Sequence, residues 1–346
     1  MTDRLALVTG ATGGLGRHLV GKLTDAGYHV RASGRNQNVG DKLASTGAEF
    51  VPGDLRDDGH IHRLAKHADV VFHCAALSSP WGKATDFQTA NVAVTRSLAR
   101  AAIASGCQRF VHVSSPAIYF RFTDQIGIRE DAELPGRFAN HYAETKAMAE
   151  LEVHKACEGR IPASIIRPRG IFGEYDDGLV PRLLEMARGG RIPVFNNGRA
   201  IVDVTYAGNV ADAMLLCDRS KAPSGAFNIT NGEPVSVRDL LARLFEALNL
   251  DVKLVPAPYS LLYAIAGGWE LAARTFDLEN EPRILRYSLG LMNYSQTLDI
   301  TAARTQLHYH PAVSIDEGLK RFARWYGHGN ARGSATGALQ TGVPGH

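Results

Sequence analysis

The sequence has few cysteines, and the four it has are scattered. Cys74, Cys107, Cys157 and Cys217 form no CxxC pair. Neither a disulfide framework nor a zinc spacing is present, no metal is expected, and a reducing, cytoplasmic setting follows. There is also no uninterrupted apolar run of about 18 residues, so no membrane-spanning helix is expected. The nearest approach, Leu261 to Phe276, is interrupted by Glu270 and Arg274. Met1 to Arg4 leads directly into a short apolar run without the length or flanks of a secretory signal. One sign of charge does not dominate: 38 basic residues face 35 acidic ones, a net charge of +3. That balance offers no electrostatic case for nucleic acid as partner. Internal repeats are absent. With 45% hydrophobic and 21% charged residues over 346 positions, disorder of the whole chain is excluded. The length suits one large α/β domain or two fused units.

What is present is alternation. Short apolar runs at Leu5–Thr9, His29–Ser33, Ala48–Val51, Val70–Cys74 and Phe110–Val113 read as strands, separated by helix-like segments such as Leu15–Asp25 and Asn91–Ala104. Continuous apolar strands imply cover on both faces, and strand–helix alternation implies a parallel sheet. The second half is less regular, with helices expected at Tyr142–Cys157, Val180–Arg188 and Val237–Leu248, strands at Ala163–Arg167 and Phe227–Thr230, and a last helix opened by Ser314. The fold class is therefore α/β, a Rossmann-type doubly wound parallel sheet with a smaller interleaved C-terminal substrate-binding region. Residues 1–175, with 199–230 returning to them, form the expected cofactor unit, and 176–198 with 231–326 the substrate region. The tail from Gly327 onward, rich in glycine and small residues, is expected to be disordered.

Between the first strand and first helix stands Thr9-Gly10-Ala11-Thr12-Gly13-Gly14-Leu15-Gly16. Gly10, Gly13 and Gly16 permit a tight turn and let backbone N–H groups approach a pyrophosphate, to which the helix N-terminus adds positive potential. In this position the turn marks a dinucleotide site. NAD-binding units place an acidic residue at the end of the second strand. Here Gly34 occupies that place and Arg35 follows. Loss of the carboxylate removes repulsion, and a guanidinium pairs with a 2′-phosphate, so NADP(H) is favoured over NAD(H). Asp54, after the third strand, reads either as a partner of the adenine amino group or as a turn aspartate.

Tyr142-Ala143-Glu144-Thr145-Lys146 places a phenol and an ammonium at i and i+4 on one helix face. A nearby cation favours the phenolate, which tunes a tyrosine for proton exchange. Ser114 and Ser115 follow the fifth strand directly, where parallel sheets bind ligands. One of the two hydroxyls is expected to cap the strand end, and the other to meet a substrate oxygen.

Together with Asp54-Leu55, Val71-Phe72-His73-Cys74-Ala75-Ala76, Asn91-Val92 and Arg167-Pro168-Arg169-Gly170-Ile171-Phe172-Gly173, these pieces resemble the extended short-chain dehydrogenase/reductase family over most of residues 5–235. The resemblance implies that Ser115, Tyr142 and Lys146 are catalytic, with Tyr142 the general acid/base and Lys146 binding the nicotinamide ribose and tuning Tyr142. It implies cofactor contacts from Gly10, Thr12, Gly13, Gly14, Leu15, Gly16, Arg35, Asp54, Leu55 and Ala75, with Pro168 and Ile171 bordering the nicotinamide. Asn91 would support the Lys146 side through water. A homodimer is also implied.

Three reactions of the family compete. Dehydratases usually carry Asp-Glu after the catalytic Ser/Thr, where Pro116-Ala117 stand here. Nucleotide-sugar epimerases usually carry an arginine where this chain has Val202, although Arg199 is nearby. The segment from Asp203 to Asn209 resembles the 3β-hydroxysteroid dehydrogenase-like branch, and Trp81-Gly82, His141-Tyr142, Val180–Leu184 and Ile229–Pro234 resemble bacterial 2-alkyl-3-oxoalkanoate reductases. That implies NADPH-dependent reduction of a 3-oxo group on a lipid-like ketone. An NDP-sugar 4-epimerase and a non-catalytic NADP sensor are the alternatives. Retention of Ser115, Tyr142 and Lys146 argues against the sensor. The apolar stretch Leu261–Phe276 reads either as a buried or lid helix, or as a surface touching lipid, a peripheral membrane contact.

Overall fold

A computed structural model describes residues 4–219, 224–276 and 281–333. Seven strands form the main sheet: β1 (Leu5–Thr9), β2 (His29–Gly34), β3 (Glu49–Pro52), β4 (Val70–His73), β5 (Arg109–Val113), β6 (Ala163–Pro168) and β7 (Gly225–Ile229). Their order is β7-β6-β5-β4-β1-β2-β3, and every pairing is parallel. The order reverses between β1 and β4, which puts a crevice at the carboxyl ends of those strands.

The unbroken apolar runs are explained by cover on both faces. Ala6, Val8 and Phe72 join one core with Leu19, Leu23 and Met214 of the flanking helices. Leu7, Val71 and Phe110, the alternate residues, join another with Leu64, Leu98 and Val153. A third core lies in the C-terminal region and includes Val202, Leu241, Leu244 and Phe322. Val202, at the position where epimerases would present an arginine, is buried there.

The C-terminal region contains elements that the sequence pattern did not suggest. Gln125–Ile128, Ile201–Val202, Val235–Ser236 and Gln296–Leu298 make a small four-stranded sheet. Arg191–Val194 pairs with Lys253–Pro256. Strands of two to four residues carry no readable period.

One expectation needs correction. The last helix spans Ile315–Gly333 and so continues past Gly327, where the unstructured tail was expected to begin; residues 334–346 lie outside the described residues. The apolar segment forms one helix, Tyr259–Thr275, which runs through Gly267-Gly268 without a break. It buries Ala266, Glu270 and Ala273, while Leu261, Ile265 and Trp269 stand exposed at i, i+4 and i+8. Its apolar side chains are thus divided: Tyr259, Leu262 and Ala266 pack with Phe195 and Leu289, and Leu261, Ile265 and Trp269 face outward. Among the described residues, no helix is long and apolar enough to cross a membrane.

Candidate active site

The glycine turn closes against the end of β4. Gly10 has φ +68°, and a Cβ there would lie 2.7 Å from the Ala75 nitrogen. A Cβ at Gly16 would meet the Gly10 carbonyl at 2.2 Å, and one at Gly14 the Tyr175 carbonyl at 2.8 Å. Gly13 begins the helix Gly14–Asp25 with no side-chain cap, so the first-turn N–H groups remain available to an anion. Leu15 packs against the core beneath, and Ala75 follows β4 at the crevice. A backbone cradle without side chains, at an uncapped helix N-terminus, fits a dinucleotide pyrophosphate.

At the end of β2, a Cβ on Gly34 would come within 2.5 Å of Thr12 Oγ1. A larger residue at the usual acidic position would have to displace Thr12. Arg35 beside it is exposed. The Asp54 carboxylate accepts from the Arg56 backbone N–H at 2.9 Å and from Arg56 Nη2 at 2.6 Å, and this holds its pKa down at about 2. In this state Asp54 is a turn aspartate. Leu55 packs against the core under β3.

Asn140 caps the helix His141–Cys157, its Oδ1 accepting from the Ala143 N–H at 2.9 Å. From this helix Tyr142, Lys146 and Glu150 project at i, i+4 and i+8. Opposite, β5 ends at Val113, and Ser115 caps the one-turn helix Pro116–Tyr119. The Ser115 hydroxyl faces the Tyr142 phenol closely enough to favour its ionised form. Ser114 differs: its hydroxyl is buried without a partner. Of the two serines, Ser115 is the one that meets Tyr142.

Lys146 is 2% exposed. Its ammonium donates to the Val113 carbonyl at 2.5 Å and lies 3.4 Å from His112 Nε2. Burial brings its pKa down to about 8, while the Glu150 carboxylate acts in the opposite direction. The Tyr142 phenol is raised by burial, and the neighbouring Ser115 hydroxyl opposes the rise. A phenol lowered by Lys146 is thus not what this state presents: the ammonium is turned toward the end of β5.

Asn91 does not reach toward Lys146. Its Oδ1 accepts from the Leu77 N–H at 2.7 Å, and its Nδ2 donates to the Leu77 carbonyl and to Thr145 Oγ1, both at 3.1 Å. It sits in a π-helical turn, Gln88–Ala93, and ties the loop after β4 to the catalytic helix. Beneath lies a buried polar chain. Thr95 donates to the Asn91 carbonyl at 2.6 Å, so His73 Nε2, at 2.9 Å, must donate to Thr95; Thr9 then donates to Nδ1 at 2.7 Å. His73 is neutral, its pKa brought to about 3 by burial and by Lys146. His112 is lowered for the same reasons.

Sequence reasoning missed several neighbours. Glu150 holds Arg167 of β6 through two hydrogen bonds, at 2.6 and 2.9 Å, both side chains buried; the i+8 spacing from Tyr142 was the available signal. Arg167 also donates to the Tyr119 phenol. Pro168 ends β6, with Arg169 next and Ile171 just beyond. Tyr287, which no motif marks, interacts electrostatically with both Tyr142 and Arg169.

A cleft of 1210 Å³ runs past Asn140 and His141. Trp81, Phe120, Phe122, Phe138, Tyr263 and Tyr287 give it aromatic walls. Lys83, Arg121, Arg137, Arg274 and Arg286 line it against Asp86, Glu144 and Glu270, a cationic excess. Arg286 is paired with Glu270 at 2.8 Å, and the Arg274 guanidinium lies 5.7 Å from the centre of the Trp81 ring.

A doubly wound sheet with a glycine cradle, and a Ser–Tyr–Lys cluster at its carboxyl edge, defines an NAD(P)-dependent oxidoreductase of the extended short-chain dehydrogenase/reductase class. The chain belongs to the NAD dependent epimerase/dehydratase family, whose model matches residues 6–230. It is 39% identical to an uncharacterized protein, YbjS, of Escherichia coli (strain K12), over 92% of this chain and 96% of the relative. It is 33% identical to a 2-alkyl-3-oxoalkanoate reductase of Stenotrophomonas maltophilia (strain K279a), over 91% of this chain and 97% of that protein. Among solved structures, the UDP-glucuronic acid 4-epimerase of Bacillus cereus in complex with NAD superposes with a TM-score of 0.74 at 22% identity, covering 94% of this chain and 99% of that one. At that identity the likeness concerns the fold.

Proposed function

We propose that the protein is an NADPH-dependent reductase of a 3-oxo group on a lipid-like substrate. The observation that carries this is the approach of the Ser115 hydroxyl to the Tyr142 phenol, beside buried Lys146 and next to an aromatic-walled cleft. The similarity to a 2-alkyl-3-oxoalkanoate reductase supports the same reading. In the reaction a ketone, NADPH and a proton give a secondary alcohol and NADP⁺. When bound, the cofactor supplies the hydride. Gly10, Thr12, Gly13, Gly14, Leu15 and Gly16 would hold its pyrophosphate, Arg35 its 2′-phosphate, and Asp54, Leu55 and Ala75 the adenosine side. Pro168 and Ile171 would border the nicotinamide, and Lys146 would hold its ribose.

Tyr142 would deliver the proton to the forming alkoxide, and Ser115 would hydrogen-bond the same oxygen. The raised pKa of Tyr142 suits reduction, because the phenol stays protonated at neutral pH. Held beside the carbonyl, the two hydroxyls would also orient the ketone.

One observation favours a second reading, an NDP-sugar 4-epimerase: the cationic excess in the cleft would suit a diphosphate. The two reactions differ in stoichiometry. A panel of a long-chain 2-alkyl-3-oxo acid, a 3-oxo sphingoid compound, a 3-oxosteroid and a UDP-sugar, followed by loss of NADPH absorbance, separates them. Turnover with a ketone and none with the sugar is expected. Sugar interconversion without net NADPH loss, and no ketone turnover, would replace the reductase with the epimerase.

A further inference from the structure

The outward half of the helix Tyr259–Thr275 takes no part in the chemistry described so far. On it Leu261 is 58% exposed, Ile265 38%, Trp269 44% and Leu271 68%. The small residues Ala264, Gly268 and Ala272 stand between them on the same half of the helix surface. The exposed positions from Ser260 to Thr275 carry a single charge, that of Arg274. A surface helix ordinarily turns its charged residues outward. Here the carboxylate is on the inner side, where Glu270 is buried and pairs with Arg286 at 2.8 Å. Core packing does not account for the outward side chains, because Tyr259, Leu262 and Ala266 make the contacts with Phe195 and Leu289. A contiguous exposed apolar patch marks an interaction surface.

The charges beside this face are mostly positive. The same helix walls the cleft through Tyr263, Glu270, Ala273 and Arg274, so Arg274 belongs both to the cleft and to the exposed side. Lys83, Arg121 and Arg137, all exposed, line the cleft from other segments. Only Asp86 and Glu144 stand against these four cations, since Glu270 is taken by Arg286.

We propose that this face docks on a membrane surface carrying anionic lipid headgroups, with the helix lying in the plane of the interface. The match is of two kinds. Leu261, Ile265, Trp269 and Leu271 enter the boundary between headgroups and acyl chains, as the apolar face of an interfacial helix does, and an indole suits the headgroup level. The exposed cations meet the lipid phosphates. The outward half offers a protein partner little to pair with: two hydroxyls, of Ser260 and Thr275, and the one guanidinium. A lipid surface requires neither fixed hydrogen-bond directions nor a register. Because the inner side of the same helix walls the cleft, docking sets the cleft beside the bilayer, from which a lipid-like molecule would enter. The docking itself does not depend on the reductase reading.

The test sediments the full chain with vesicles of phosphatidylethanolamine and phosphatidylglycerol, and separately with vesicles of phosphatidylcholine. Binding to the anionic vesicles is expected, weakening as salt is raised. In the double variant Leu261→Asp, Ile265→Asp, partitioning should fall at least about tenfold. Arg274→Gln should lower it about fivefold. Lipids brominated on their acyl chains should quench tryptophan emission in wild type and quench it less in Trp269→Phe. A wild type that stays unbound with anionic vesicles overturns the proposal. Equal binding to phosphatidylcholine overturns the assignment to anionic lipid. A double variant that binds as wild type does overturns the assignment to this face. If that variant does not fold, the quenching decides: equal quenching in wild type and Trp269→Phe has the same meaning. An unbound wild type whose oligomeric state in sedimentation velocity falls in the double variant would make the face a contact between copies of the chain, and the proposal fails.

Discussion

Protonation states at single residues set what the site can do. Tyr142 is raised by burial and Lys146 is lowered by it to about 8, so at neutral pH the pair stands as phenol and ammonium. Removing the phenol proton donor by Tyr142→Phe should lower kcat about 10³-fold while NADPH affinity, measured by fluorescence titration, holds. Lys146 loses its charge as pH rises through about 8, so reduction should decline on that alkaline limb. The Glu150 carboxylate raises the Lys146 pKa, so Glu150→Gln should move the limb to lower pH in a pH–rate profile. The two imidazoles beneath act on stability. His73, at about 3, and His112 lie below the ordinary value near 6.5, so between those limits the unfolded chain binds more protons than the folded one. Stability should therefore be intact above about pH 6.5 and fall on acidification, by up to about 1.4 kcal/mol per pH unit for each imidazole. Thermal melts from pH 7 to 4 report the slope, and His73→Asn should reduce it.

At the scale of elements, the site depends on how loop and helix are tied. The π-helical turn Gln88–Ala93 puts Asn91 where its amide satisfies both backbone groups of Leu77 and reaches Thr145, next to Lys146. Asn91→Ala leaves those Leu77 groups unmet. A loss of about 2–3 kcal/mol is expected in urea unfolding, with a lower kcat as the Trp81 loop loosens. Had Asn91 acted only through water on Lys146, stability would hardly change. The same tie shows what could be read in advance. The main sheet was legible because each strand is covered on both faces and so reads as an apolar run. The cradle was legible because Gly10 and Gly16 admit no Cβ against Ala75 and the Gly10 carbonyl. Tyr142 and Lys146 were legible from helical spacing, but the direction of the ammonium was not, since the Val113 carbonyl that holds it lies on another element. The small sheet escaped notice because its strands are two to four residues long. Tyr287 escaped because it lies in a segment far along the chain and carries no motif. The exposed face of Tyr259–Thr275 follows from the fold: its buried side combines Ala266, packed with Phe195 and Leu289, with Glu270 and its partner Arg286, a polar contact that hydropathy cannot anticipate.

For the whole molecule, cofactor binding is an addition to fold stability, and on the proposed reading it should differ between the two nicotinamide forms. The cradle lies over β1, β2 and β4 at the point where strand order reverses, so a ligand there adds to the pairing that already holds β1 between β2 and β4. Any ligand that binds only the folded state stabilises it by RT ln(1 + [L]/Kd), about 2.7 kcal/mol at a concentration of 100 Kd. NADPH at a fixed millimolar concentration should therefore raise Tm by several degrees, and NADH by less. The difference should arise at the end of β2. Gly34 stands so close to Thr12 that an acidic side chain is not accommodated there without displacing it, while Arg35 is exposed and free to meet a 2′-phosphate. Arg35→Asp exchanges that attraction for repulsion. The variant should show a smaller shift with NADPH and at least an equal one with NADH, so that the order of the two melting curves reverses. Equal shifts with both cofactors in wild type, or an unchanged order in Arg35→Asp, would sink the assignment of NADP(H). The glycine cradle would survive that result, because its backbone contacts serve the pyrophosphate common to both.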